Sequence, residues 1–214
     1  EAVDYDKWGL GLSGAVGLGT GTTATVSYYH LTSDQMPDYG IPLFTKIGVR
    51  TTDSGVLDVP YDSFYGLTAR DYLTNEVDSL TVELEHRIND RLSIRNVTRY
   101  ADTLNDYVVT NPGDGGRIDT TPPGAALVNG EWWMKRGTKS RWNPTATFAN
   151  VLDLYGKVEA GGVSHSFDVG LEYSREINRN ASYTVTTTGG SACPAPLTGF
   201  DCTRVYDPDP ADPW

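Results

Sequence analysis

Three stretches of alternating apolar and polar residues fold back on themselves through turns whose lengths keep the apolar faces together, and this limits the fold more than any other feature. In the first, Trp8, Leu10, Leu12, Val16 and Leu18 share one parity while Lys7, Gly9, Gly11, Ser13 and Gly17 take the other. Closing the chain over Gly19-Thr20-Gly21 sets Leu18 against Thr22, Leu12 opposite Tyr28 and Val16 opposite Ala24, with Val26 and His30 on the same face. In the second, Leu80, Val82, Leu84 and Ile88 align, Asn89-Asp90-Arg91 turns, and Leu92 and Ile94 resume the face. The opposite side is charged, and this register places Glu85 beside Arg95. In the third, Leu152, Leu154, Val158 and Ala160 meet Val163, His165, Val169 and Leu171 only over a two-residue Gly161-Gly162 turn, which sets Gly156 against Phe167. A slip of one residue would invert every side chain, so the expected fold is an all-β antiparallel meander of about six strands.

What joins the hairpins is equally restrictive. The tight turns alternate with connections of roughly 35–40 residues, about 35–73 and 110–145, and a third begins near Ala181. Loops that long are uncommon in a compact domain, whereas short turns alternating with long loops are the layout of outer-membrane barrels. Composition agrees by exclusion. With 17 Lys plus Arg against 28 Asp plus Glu, the net charge of −11 argues against nucleic-acid binding, which depends on cations at phosphates. No run of about 18 apolar residues offers a transmembrane helix, a test that barrel strands escape. One strand fits poorly: Asn96 and Thr98 fall on the predicted lipid face, and a bulge would restore the parity. The opening at Glu1 and the Pro- and Asp-rich ending, Asp207 to Trp214, read as an excised piece of a longer chain.

The connections also carry recognisable wording. Asp34-Gln35-Met36-Pro37-Asp38-Tyr39-Gly40-Ile41-Pro42-Leu43 follows a strand directly. Arg95-Asn96-Val97-Thr98-Arg99-Tyr100 runs into Asp106-Tyr107-Val108-Val109-Thr110-Asn111-Pro112-Gly113-Asp114, and a strand pair extends from Asp153 through His165 to Gly170-Leu171-Glu172-Tyr173-Ser174-Arg175-Glu176. In order and spacing this resembles TonB-dependent siderophore receptors, the ferric-catecholate branch in particular. The resemblance implies a roughly 22-stranded transmembrane barrel in the bacterial outer membrane, plugged by an N-terminal domain. It also implies a monomer that imports a ferric siderophore with energy delivered by TonB. Residues 1–214 would then be part of the barrel wall, with the plug, the TonB box and the remaining strands lying elsewhere. Alone, such a wall would leave open edges that lipid does not tolerate.

No catalytic constellation emerges, because His30, His86 and His165 all fall on the lipid-facing parity. Cys193 and Cys202 lie in what should be an extracellular loop, where a stapling disulfide is expected; zinc would need more ligands than lie nearby. The sharpest binding signal is Trp132-Trp133-Met134-Lys135-Arg136-Gly137-Thr138-Lys139-Ser140-Arg141-Trp142, four cations and three Trp without an acid. Against an anionic ferric tris-catecholate, Lys135, Arg136, Lys139 and Arg141 supply Coulomb attraction while Trp132, Trp133 and Trp142 supply stacking area. The same island also suits lipopolysaccharide phosphates beside an aromatic girdle, and the two readings stand side by side. Tyr39, Phe44, Tyr61, Phe64 and Tyr65 with Arg70 in the first long loop are further candidate contacts. Arg95 and Arg99 face inward with Glu83 and Glu85, as a lumen salt-bridge ladder.

The expected function is outer-membrane uptake of a ferric siderophore, with no enzymatic step, no metal ligands from the chain and no cofactor beyond the iron that the siderophore carries. The partners are the siderophore, TonB, and outer-membrane lipid and lipopolysaccharide. A passive porin-like channel and a secreted β-domain binding through aromatic loops are the rival readings.

Overall fold

The computed structural model describes residues 3–45, 55–113, 117–119, 125–186, 193–197 and 201–214. In chain order the strands are β1 (Tyr5–Val16), β2 (Thr22–Gln35), β3 (Leu43–Thr45), β4 (Gly55–Val56), β5 (Tyr72–Asn89) and β6 (Leu92–Pro112). They continue as β7 (Arg117–Asp119), β8 (Ala125–Val128), β9 (Glu131–Ala160), β10 (Val163–Asn178) and β11 (Cys202–Arg204). Six of them form an antiparallel wall in the order β1-β2-β5-β6-β9-β10, with β8 and β11 flanking the far end of β9; β3, β4 and β7 make a separate small sheet.

The hairpin registers are those the turn lengths dictate. Leu12 pairs with Tyr28 and Val16 with Ala24. Glu85 pairs with Arg95, and Gly156 with Phe167. The wall has one apolar face, on which Leu12, Val16, Val169 and Leu171 are 58%, 71%, 65% and 74% exposed. A water-soluble sheet would not leave such a face bare; the wall of a membrane barrel presents it to lipid.

Two expectations need correction. The second long connection does not run to about residue 145. β6 and β9 stay paired without interruption from Leu92–Gly156 to Pro112–Arg136, so the basic aromatic island is strand, not loop. From Arg136 onward the island pairs with β6, and before it, from Trp132 to Lys135, with β8 and β11.

The bulge expected near Asn96 is also absent. The register shift falls instead between Arg87 and Asn89, beside the turn. Asn96 and Thr98 keep their outward parity because Asn150, on the neighbouring strand, satisfies them. Asn96 Nδ2 donates to Asn150 Oδ1 at 3.2 Å, and Asn150 Nδ2 donates to Asn96 Oδ1 at 3.1 Å and to Thr98 Oγ1 at 2.7 Å. Three polar side chains on an apolar face thus pair mainly with one another.

On the polar face, Arg95 Nε donates to Glu83 Oε1 at 2.7 Å, while Glu85 accepts from the Tyr155 hydroxyl. Arg99 turns to Ser79 Oγ at 3.0 Å rather than to an acid. The ladder thus has one ion pair, with neutral donors completing it.

Candidate functional site

The functional candidates gather at the end of the wall opposite the tight turns, where the long connections pack against β9. Two small cores form there. Tyr65, Ala125, Met134 and Val205 make one, with Trp132 packed against it; Ala126, Leu197 and Cys202 make the other, with Trp133 against it. β11 lies along β9 in the register Cys202–Lys135, Thr203–Met134 and Arg204–Trp133. Cys193 and Cys202 are joined as a disulfide with Cα atoms 5.1 Å apart, tying the segment before β11 to that edge.

Replacing both Cys193 and Cys202 with Ser should speed amide exchange in β11 by roughly 30-fold to 150-fold, given about 2–3 kcal/mol for a short closed loop. Exchange in β1 and β2 should be unchanged. Equal exchange in β11 with and without the disulfide would refute the stapling role.

This packing divides the basic island. Lys135 and Arg136 are 6% and 3% exposed, whereas Lys139 and Arg141 are exposed. Arg136 is committed to the loops. Its Nε donates to the Tyr65 carbonyl at 3.0 Å, Nη1 to the Cys202 carbonyl at 3.3 Å and to Asp212 Oδ2 at 2.7 Å, and Nη2 to the Asp209 carbonyl. Burial draws this guanidinium below its ordinary value, while Asp212 opposes the shift.

Arg70 is placed similarly, at 7% exposure. It donates to Asp71 Oδ1 at 2.8 Å, to Asp201 Oδ2 at 3.4 Å and to Thr110 Oγ1 at 2.5 Å, with its guanidinium carbon 5.9 Å from the Trp214 ring centre. Asp71 closes the network by accepting from the Thr110 amide at 2.8 Å and hydroxyl at 2.6 Å. Both arginines therefore clamp loops, and a ligand could reach neither without opening that packing. Tyr65 is buried too, donating to the Val205 carbonyl at 2.8 Å; burial pushes its hydroxyl up to about 12.

What remains open is smaller and more specific. Lys139 Nζ stands 5.3 Å over the ring of Tyr39, which is 51% exposed. These two candidates, a hundred positions apart in the chain, meet as a cation over an aromatic face. Arg141 is two residues on, hence on the same face of β9. Trp142 is partly buried and its backbone bridges to Ala181, at 2.9 and 3.0 Å. Phe64 is 7% exposed and Tyr61 is 97% exposed. Phe44 sits in β3, and its side chain lies outside the described residues.

Comparison with known proteins follows the same geometry. No family model matches the chain. It is 34% identical over 208 residues to the probable TonB-dependent siderophore receptor PiuA of Acinetobacter baumannii, covering 96% of this chain and 26% of that protein. To the catecholate siderophore receptor Fiu of Escherichia coli it is 31% identical over 186 residues, covering 84% of this chain and 24% of Fiu. The crystal structure of PiuA superposes with a TM-score of 0.75 at 30% identity, over 99% of this chain and 30% of PiuA. This chain belongs to the TonB-dependent receptor family. The open form of Fiu agrees, with a TM-score of 0.76 at 25% identity over 98% of this chain and 30% of Fiu.

The chain spans about a quarter of the length of the curated relatives it matches. As a stretch of TonB-dependent receptor wall it belongs to the bacterial outer membrane, and its bare apolar face meets lipid there. The short turns and the loop-packed end are then opposite rims of the same wall. His30, His86 and His165 take the lipid-side parity: His30 packs tilted against Trp8 with ring centres 4.8 Å apart and contacts Asp78 at 2.9 Å, and His86 contacts Thr22 at 2.7 Å. Among the described residues, no group of three or more His, Cys, Asp or Glu side chains is placed to hold a metal ion.

Sequence reasoning missed the acids that lock the loops, Asp71, Asp201 and Asp212. The local signal was slight: Asp71 follows Arg70 directly, but the other two lie 131 and 76 positions from the arginines they meet.

Proposed function

We propose that this chain supplies wall and extracellular loops to an outer-membrane receptor that takes up a ferric siderophore of the catecholate type, energised through TonB. The observation that carries this reading is the 34% identity to the siderophore receptor PiuA across 96% of the chain, joined by the match to the catecholate receptor Fiu. The receptor acts as a monomer and performs no enzymatic step. Iron arrives held by the siderophore, and the protein needs no cofactor of its own. Lipid and lipopolysaccharide surround the wall.

Within this chain, capture falls to the open part of the island. Lys139 and Arg141 offer positive charge to an anionic complex, and Tyr39 offers an aromatic face already paired with a cation. Arg70 and Arg136 hold the loops packed against the same strand.

The test is uptake of radioactive iron as a ferric tris-catecholate by cells whose only such receptor is the complete protein containing this chain. Lys139→Gln with Arg141→Gln should weaken the apparent affinity about tenfold, as expected for losing one or two charge-assisted contacts. Surface abundance should be unchanged, because neither side chain is buried. Unchanged uptake by the double variant would overturn the capture role given to these cations. No uptake by the unaltered receptor would overturn the siderophore reading itself.

A further inference from the structure

Polar side chains within a lipid-facing band are costly, and three of them stand together here, Asn96 and Thr98 on β6 and Asn150 on β9. Their depth can be read from the rows that frame them. One step nearer the loops on the same face, Tyr100 pairs with Phe148, and Phe148 packs tilted against Tyr173 with ring centres 6.2 Å apart. Tyr28 extends this exposed aromatic row through Leu80, which pairs with both Tyr28 and Tyr100. The next row outward holds His30, Asp78 and Asp102, side by side in register. Aromatic side chains directly below charged ones mark the outer boundary of the hydrocarbon. Two residues of a tilted strand span about 5 Å of depth, so Thr98 and Asn150 lie about that far inside the boundary. Leu84 and Leu152, the register partners of Asn96, close the apolar frame beneath them.

The hydrogen bonds within the cluster leave a definite surplus. Asn96 Nδ2 donates to the Val151 carbonyl at 3.2 Å as well as to Asn150 Oδ1, and the carbonyl partner fixes which end of that amide is the nitrogen. Asn150 Nδ2 donates to Asn96 Oδ1 and to Thr98 Oγ1, and the Thr98 hydroxyl donates to Asn96 Oδ1 at 3.2 Å. Every N–H and O–H of the three side chains is thereby used. Lone pairs remain, because Asn150 Oδ1 and Thr98 Oγ1 each accept one bond among the described residues and each oxygen can accept two. Both residues are half-buried on the lipid side of the wall. The cluster can therefore accept a hydrogen bond from lipid but has none to give. An ordinary acyl chain, whose polar atoms are ester carbonyls, has nothing to donate to it.

We propose that Asn150 and Thr98 bind the hydroxyl of a hydroxylated acyl chain, the kind that lipopolysaccharide carries. A hydroxyl on the β carbon lies just beyond the carbonyl that anchors the chain at the boundary, which is the level of this cluster. Its O–H donates to Asn150 Oδ1 or Thr98 Oγ1, while Tyr100, Phe148 and Tyr173 flank the chain. The lipid is recognised here by its acyl chain and not by its phosphates. The site shares no residue with Lys139, Arg141 and Tyr39, and it goes beyond the uptake reading.

The experiment is native mass spectrometry of the complete receptor in detergent. It is titrated with a tetraacylated lipid A bearing β-hydroxymyristoyl chains, and with the same bisphosphorylated sugar bearing plain myristoyl chains. The headgroup is common to both, so phosphate contacts elsewhere on the rim cancel in the ratio. The hydroxylated lipid should bind at least about fivefold more tightly. Replacing the whole cluster, Asn96→Leu with Thr98→Val and Asn150→Leu, should make the two lipids bind equally. This variant should fold, because it extends an apolar face that already meets lipid. Asn150→Leu alone should lose most of the preference. Equal binding of the two lipids by the unaltered receptor, binding of neither, or an undiminished preference in the triple variant would each overturn the proposal. The titration uses no siderophore and no transport, so its failure is distinguishable from failure of the uptake reading.

Discussion

Arg136→Met is expected to release the extracellular loops from β9 while leaving the barrel wall assembled. The guanidinium is fully buried and binds the Tyr65, Cys202 and Asp209 carbonyls as well as the Asp212 carboxylate. A methionine fills similar space but donates nothing, so three carbonyls lose a donor and a carboxylate that is 29% exposed loses its counter-charge. Removing one partner of a buried pair costs about 3–5 kcal/mol. Read as local opening, this corresponds to a loss of exchange protection of roughly two to four orders of magnitude across β11 and residues 207–214. Amides of β1, β2 and β5 below the loops should keep their protection. Arg136→Lys should recover little, because one ammonium cannot reach four acceptors spread over three loop segments. Unchanged protection in Arg136→Met would show that the loops are held by their apolar cores alone.

Gly156→Val is the second large effect, at the opposite rim. A Cβ on Gly156 would stand 2.2 Å from the Arg91 carbonyl oxygen and 3.3 Å from the Leu92 Cα. Both are backbone atoms, at the turn where β6 begins and where Lys157 donates to that same carbonyl at 2.9 Å. No side-chain rotation relieves the clash. Either the turn shifts or the β6–β9 ladder breaks, at a cost of about 3 kcal/mol or more. The expected result is loss of most of the folded, heat-modifiable receptor in outer membranes. Gly14→Ala is the control: nothing lies within 4 Å of its added Cβ, and folding should be unaffected. Equal yields for the two variants would mean that β6 and β9 do not approach as described.

The contrast between these two sites explains what could be read in advance. The wall was legible because each hairpin is local: Leu12 finds Tyr28, and Gly156 finds Phe167, across turns of a few residues whose length alone sets the register. The disulfide was legible for the same reason, its cysteines being 9 apart.

Asn96 and Thr98 registered as an anomaly, but the remedy did not, because Asn150 lies across a strand pair more than fifty positions away. The basic island looked uniform because its residue types are uniform. Which cations are buried depends on loops from three other parts of the chain, and neighbouring positions on β9 are covered on both faces where β8, β11 and the ends of the loops meet. The pairing of Lys139 with Tyr39 had no local signature at all.

The central claim is that this chain is barrel wall, lipid on one face and aqueous interior on the other. Spin labels placed one at a time from Asp168 to Tyr173 on β10 of the complete receptor in lipid test it most directly, by comparing collision with oxygen against collision with a water-soluble nickel complex. Val169, Leu171 and Tyr173 should favour oxygen, and Asp168, Gly170 and Glu172 should favour nickel, in strict period two. Nickel access at all six positions, or an alternation of the opposite phase, would contradict the account.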